Sequence, residues 1–181
     1  MSAIRISHYT IHTGKTEEQG SSPVTMVMLA DLHNVCLGEH NRQLLEEVAK
    51  AKPAAVLSAG DLVVAKAGRV KTEAALALLG ELTKQYPVYC ANGNHESRID
   101  AWSKEHPDLY EDYTALAKRL GAVVLRNERA ELDVFGKKFC IYGYELPWEY
   151  YGHAPGKKLP AEELDRALGR PDPEGFSILL A

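Results

Sequence analysis

Two spacings of apolar residues alternate along this chain, and the switches between them lay out most of its elements. Over residues 4–11, Ile4, Ile6, His8 and Thr10 alternate with Arg5, Ser7, Tyr9 and Ile11, the period-two pattern of a half-buried strand. Residues 13–23 are polar, with turn chemistry. Residues 24–30 then form a nearly unbroken apolar run, expected of a strand covered on both faces, and the run ends in Asp31-Leu32-His33. Within residues 41–52, Leu44, Leu45, Val48 and Ala49 share one helical stripe that Pro53 stops. Residues 54–59 read as a second buried strand, closed by Gly60-Asp61. A helix is predicted from Thr72, its expected cap, to Gln85, with Leu76, Leu79 and Leu82 at helical spacing. Residues 87–91 make a third strand and run into Asn92-Gly93-Asn94-His95-Glu96.

Further on, Leu109, Tyr113, Leu116 and Leu120 align on a helix over residues 107–120, closed by Gly121. Shorter strands follow at 122–125, 130–135 and 139–144, the last two joined by a turn at 136–138. A long loop over 146–159, a helix over 161–168, the breaker Pro171-Asp172-Pro173 and a buried strand over 176–180 complete the chain. Strands that alternate with helices in the first half imply parallel pairing through helical crossovers, so the fold class is α/β.

Composition narrows the function classes. A chain of 181 residues suits one domain. A net charge of −4 gives no electrostatic footprint for long nucleic acid. The 3 cysteines, Cys36, Cys90 and Cys140, show no Cys-x-x-Cys spacing, which argues against a disulfide framework or a structural zinc and for a reducing compartment. Cys90 and Cys140 fall in apolar strand patterns and read as buried small hydrophobes. No apolar run reaches the ~18 residues that would mark a membrane span. Residues 1–5 lack a signal-peptide core, so the expected location is cytoplasmic, or membrane-associated through an anchor preceding Met1.

The chemistry gathers at three strand ends. Asp31 and Asp61 are 30 residues apart, and Asp61 and Asn94 are 33 apart. One strand–helix–strand unit takes about 30 residues, so each cluster returns to the same carboxyl edge of the sheet, where open α/β sheets bind ligands. Asp31 and His33 are two apart, and strand periodicity points both side chains one way. Carboxylate oxygens combined with imidazole nitrogens suit Mn, Fe or Zn better than Ca. Two such cations about 3.5–4 Å apart could hold a phosphate, acidify water and stabilise a leaving oxygen. Gly60 and Gly93 leave room for the backbone beside them.

Asp31-x-His33, Gly60-Asp61 and Gly93-Asn94-His95-Glu96 resemble, in order and spacing, the first three motifs of the calcineurin-like metallophosphoesterase family. The resemblance implies a two-sheet β-sandwich flanked by helices (αββα). It implies a dinuclear centre of divalent or trivalent ions (Mn, Fe or Zn) and hydrolysis of a small phosphomonoester or phosphodiester. By this resemblance Asp31 and His33 would ligate the first metal, Asp61 would bridge, and Asn94 would ligate the second and touch the phosphate. His95 would also meet the substrate, as catalytic proton donor to the leaving group, and Glu96 would orient and polarise its imidazole. The family's pattern continues with a lone His and a Gly-His-x-His, into which residues 177–181 would lead. The expectation is therefore that residues 1–181 are the N-terminal portion of the domain, with its last metal-ligating histidines absent and a sheet edge exposed to self-association. Ser7-His8-Tyr9-Thr10-Ile11 resembles a bacterial subgroup that includes membrane-anchored members. The alternative function is a non-catalytic binding or scaffold module retaining the fold, or an inactive fragment.

Other polar residues carry weaker signals. Asn34 and Cys36 read as loop residues near the metals, with substrate contact as the open alternative. Gly152-His153-Ala154-Pro155 superficially resembles Gly-His-x-His, but Pro155 replaces the second His. Trp102, Trp148, Tyr150 and Tyr151 read as loop packing or as a substrate wall, and Arg98 as a surface residue or an anion contact. His8, His12, His40 and His106 have no ligand-like neighbours.

Overall fold

The computed structural model describes residues 4–12, 22–66, 69–101, 108–151, 157–173 and 175–181. Trp102, His106, His153 and most of the polar loop over 13–23 lie outside the described residues. Nine strands and five α-helices are described: β1 (Met26–Leu29), α1 (Arg42–Ala51), β2 (Ala55–Ser58), β3 (Val64–Lys66), β4 (Arg69–Lys71), α2 (Glu73–Leu82), β5 (Val88–Ala91), α3 (Asn94–Ala101), α4 (Leu109–Arg119), β6 (Val123–Leu125), β7 (Glu128–Val134), β8 (Lys137–Gly143), α5 (Ala161–Leu168) and β9 (Phe176–Leu180).

The α/β expectation is met. A four-stranded parallel sheet has the order β1-β2-β5-β6, with Val27 opposite Val56 and Leu57 opposite Tyr89. A second sheet, β7-β8-β9, pairs β7 with β8 antiparallel and β8 with β9 parallel. Alternation along β2 and β5 sends side chains to two different cores. Val56, Val88 and Cys90 pack with Leu44 and Val48 of α1, Leu78, Leu79 and Leu82 of α2, and Tyr113 and Ala117 of α4. Ala55, Leu57, Tyr89 and Ala91 pack instead with Leu125, Ile141 and Leu180, which joins the two sheets face to face. Each fully buried aliphatic side chain in these layers contributes about 1.5–3 kcal/mol of transfer free energy. On the second sheet, α5 is tied through Glu163, which accepts from the hydroxyls of Tyr144 and Tyr150.

Four expectations change. Residues 4–12 form no strand; Tyr9 is 86% and Ile11 71% exposed, because an alternating segment needs a sheet edge to pair with and none is paired here. Among the described residues β1 pairs with β2 alone, and Met28 is 56% exposed, so the strand is not covered on both faces. The turn between β7 and β8 falls at Phe135-Gly136, where φ is 54° and 77°, and Val134 pairs with Lys137. Two left-handed residues in a two-residue loop match the twist of a hairpin. A small antiparallel pair, β3–β4, intervenes between Asp61 and α2.

Candidate metal centre

The loops leaving β1 and β2 are laced together before any side chain is considered. His33 N–H donates to the Asp61 carbonyl at 2.8 Å, Asn34 N–H to that of Leu62 at 2.7 Å, and Asp31 N–H to that of Gly60 at 3.3 Å. To make these bonds, Asp31, His33, Asn34 and Asp61 all adopt left-handed backbone, with φ of 55°, 48°, 55° and 53°. Non-glycine residues in that region are uncommon and cost energy that the surroundings must offset, and they cluster at functional sites. Beneath Asp61 the loops after β2 and β5 touch backbone to backbone. A Cβ on Gly60, whose φ is 93°, would sit 2.2 Å from Gly93 N, and one on Gly93 would sit 2.4 Å from Asp61 Oδ1.

Asp61 is the hub. Its carboxylate is buried, with 6% of the residue exposed, and it caps the N-terminus of α3. Oδ1 accepts from His95 N–H at 2.8 Å, and Oδ2 accepts from Asn94 Nδ2 at 3.2 Å. Among the described residues no lysine or arginine pairs with it. A buried carboxylate served only by neutral donors calls for a counter-charge. The surroundings fit a cation: a ring nitrogen of His33 and a carboxylate oxygen of Asp61 lie, with a ring nitrogen of His95, within 4.8 Å of one another. Asp31 Oδ1 stands 3.8 Å from His33 Nε2 at the exposed rim, and Asn94 uses its amide nitrogen on Asp61.

His95 is more constrained than its motif suggests. Its Nδ1 accepts the Ala65 N–H at 2.8 Å, so the neutral ring carries its proton on Nε2 and presents that nitrogen to the cluster. The rings of His33 and His95 meet edge to face, with centroids 4.7 Å apart. Burial lowers the His95 pKa below its ordinary value; the Asp61 charge opposes this, and His33, Arg98 and Lys66 reinforce it.

The expectation that Glu96 polarises the His95 imidazole is replaced. Glu96 is 2% exposed and faces inward: Oε2 accepts from the N–H groups of Asp61 (2.8 Å) and Gly93 (3.0 Å), and Oε1 from those of Leu62 (2.9 Å) and Val63 (3.4 Å). Its oxygens are therefore occupied by main chain, and the partner on His95 Nδ1 is a backbone amide of β3. Burial pushes the Glu96 carboxyl up, against the downward pull of the Asp61 and Gly93 amides.

Other candidates resolve differently. Asn34 turns away from the cluster and caps α2 from a distance of 40 residues, its Oδ1 accepting from Ala74 N–H at 2.9 Å; the expected cap, Thr72, makes no such bond. Cys36 is exposed, and its Sγ accepts from Asn41 N–H. Cys140 is only half-buried, whereas Cys90 is buried as expected. Arg98 lies one helical turn from His95, donates to the Ala65 carbonyl at 2.9 Å and holds its guanidinium carbon 5.8 Å from the Trp148 ring centre. The rings of Trp148 and Tyr151, tilted by 52° with centroids 5.4 Å apart, form an aromatic wall next to that guanidinium. The motifs gave no role to Asn92 and Ser97, which bracket the turn, or to Ala65 and Glu145, which hold it from elsewhere in the chain.

A family model described as calcineurin-like phosphoesterase matches residues 24–174. No curated protein matches the chain. Among the described residues, no helix is long and apolar enough to cross a membrane.

Proposed function

From the premise that this chain belongs to the calcineurin-like phosphoesterase family, we propose that its cluster catalyses metal-dependent hydrolysis of a small phosphomonoester or phosphodiester. The observation that carries this reading is the buried Asp61 carboxylate, with no lysine or arginine partner among the described residues, gathered with His33 and the His95 ring within 4.8 Å. Asp31, His33 and Asp61 would hold one cation, and Asp61 with Asn94 would hold a second, of Mn, Fe or Zn. The chemistry such ions supply when bound is neutralisation of phosphate oxygens and acidification of water.

The residues of the chain do the rest. Water is the nucleophile, so no covalent enzyme intermediate is involved. With Nδ1 accepting the Ala65 N–H, His95 offers its Nε2–H to the leaving oxygen as a hydrogen-bond donor that stabilises the developing anion. Asp61 sets the height of that imidazole by accepting the His95 backbone N–H. Arg98 and the Trp148–Tyr151 wall flank this edge and are where the organic part of the ester would be read.

The test uses chain stripped of metal by a chelator and resupplied separately with Mn, Fe or Zn, assayed on aryl phosphate mono- and diesters. Metal-stimulated turnover is expected, with Asn94→Ala and His95→Ala each lowering it by roughly 10²-fold or more. Tight metal binding without turnover of either ester class would favour a binding module instead and defeat the proposal.

A further inference from the structure

The turn that carries Asn94 and His95 is gripped from the opposite sheet by a carboxylate that plays no part in the chemistry above. Glu145 lies just beyond β8. Its Oε2 accepts from Asn92 Nδ2 at 2.7 Å and its Oε1 from Ser97 Oγ at 2.5 Å. Asn92 and Ser97 immediately bracket Gly93–Glu96, so one side chain reaches both ends of the motif. Both are buried, at 3% and 6% exposure. Asn92 spends a second N–H on the Tyr110 hydroxyl at 2.6 Å, which leaves its amide little freedom to turn.

Glu145 is itself held in place. Arg126 Nε is 3.4 Å from Oε2, and the same guanidinium pairs with Asp100 at 2.6 Å and lies 5.0 Å from the Tyr110 ring centre. The Glu145 N–H donates to Asn127 Oδ1 at 2.9 Å. Hydrogen bonds to a carboxylate are stronger than those between neutral groups, and the Arg126 guanidinium adds a second, charged hold on this one. The path from Glu145 to the reacting edge is short: Ser97 Oγ also approaches the Gly93 carbonyl at 3.0 Å, and Gly93 packs against Asp61 Oδ1.

We infer that Glu145 is a positioning residue, which sets the register of the Asn92–Ser97 turn and thereby the placement of Asn94 and His95 over Asp61. This rests on the proposed hydrolytic role of that turn. Glu145 touches neither the cluster nor the substrate edge. Its contribution is geometric, and a displacement near 1 Å is enough to cost about 10²-fold in rate.

The experiment compares the parent chain with Glu145→Ala, Glu145→Gln and Ser97→Ala. Backbone amide exchange is read in metal-free protein, and kcat and KM are read with metal and an aryl phosphate. In Glu145→Ala, exchange at Gly93–Ser97 is expected to rise about tenfold or more while amides of the distant β7 strand are unaffected. Its kcat should fall about 10- to 100-fold with KM within about threefold. Glu145→Gln keeps an acceptor for Asn92 and a polar partner for Ser97, so it should restore both readouts to within about threefold of the parent. Unchanged exchange at Gly93–Ser97 in Glu145→Ala overturns the inference, as does a Glu145→Gln variant as impaired as Glu145→Ala. If Glu145→Ala does not fold, Ser97→Ala, which removes one arm of the grip, is read by the same criteria. Absence of hydrolysis in the parent would refute the functional reading alone, and the exchange data would then decide the role of Glu145.

Discussion

Replacing Glu96 by glutamine exchanges one oxygen for a nitrogen at the point where four backbone N–H groups converge. Oε2 serves Asp61 and Gly93, and Oε1 serves Leu62 and Val63. Whichever way the new amide turns, its NH2 faces one of these pairs, donor against donor. One or two buried N–H groups are then left unsatisfied, at about 1–3 kcal/mol each, and the remaining bonds lose their charge assistance. The expected destabilisation is about 2–5 kcal/mol, a large share of the ~5–15 kcal/mol that holds a typical domain together. With a urea m-value of about 1–3 kcal/mol/M, the unfolding midpoint of Glu96→Gln should fall by roughly 1–3 M. Urea titration of metal-free protein followed by far-UV circular dichroism measures this without stabilisation from bound ions. A midpoint within about 0.3 M of the parent would refute the bracing role. Activity lost at an unchanged midpoint would restore the direct action of Glu96 on His95.

Asn34→Ala removes the distant cap of α2 and should cost about 1–2 kcal/mol in the same titration; an unchanged midpoint would mean that the Ala74 and Ala75 amides find other partners. Burial pushes the Cys90 thiol up to about 12, whereas its ordinary value is near 9. The folded chain therefore keeps a proton that the unfolded chain releases, so stability should decline as pH rises through the interval from 9 to about 12 and be unaffected by this group below it. The urea midpoint of the parent should fall more steeply with pH over that interval than that of Cys90→Ala; equal slopes would exclude the effect. At pH 8 a thiol reagent should label exposed Cys36 readily in the native chain and Cys90 only on unfolding.

Much of this was legible in the sequence where hydrophobic period and chain reversal agree. α5 and β9 fall where the pattern placed them, at Ala161–Leu168 and Phe176–Leu180. The three polar clusters converge because each follows a strand of the parallel sheet. α3 was hidden because Asn94–Arg98 is a polar run whose helical start is set by Asp61, a residue 33 positions earlier. Residues 4–11 misled for the converse reason: alternation reports amphipathy but not whether an edge is available. The motif named Glu96 correctly as a member of the turn and wrongly as a partner of His95, since a four-residue string cannot say which way a carboxylate faces. Asn34 and Glu145 act across 40 and 53 residues, on Ala74 and Asn92, and no local pattern encodes such reach.

The touching glycines, Gly60 and Gly93, divide the site into a part that can change and a part that cannot. Its floor is main chain lying on main chain, with 2.2 Å between a hypothetical Cβ and the next nitrogen, so no substitution there can tune size or polarity without moving Asp61. Diversification must therefore take place along the walls: the β3–β4 hairpin that supplies the amide for His95, and the stretch around Trp148 and Tyr151. A chain built this way can redraft its rim while Asp61 and its neighbours stay where the floor puts them.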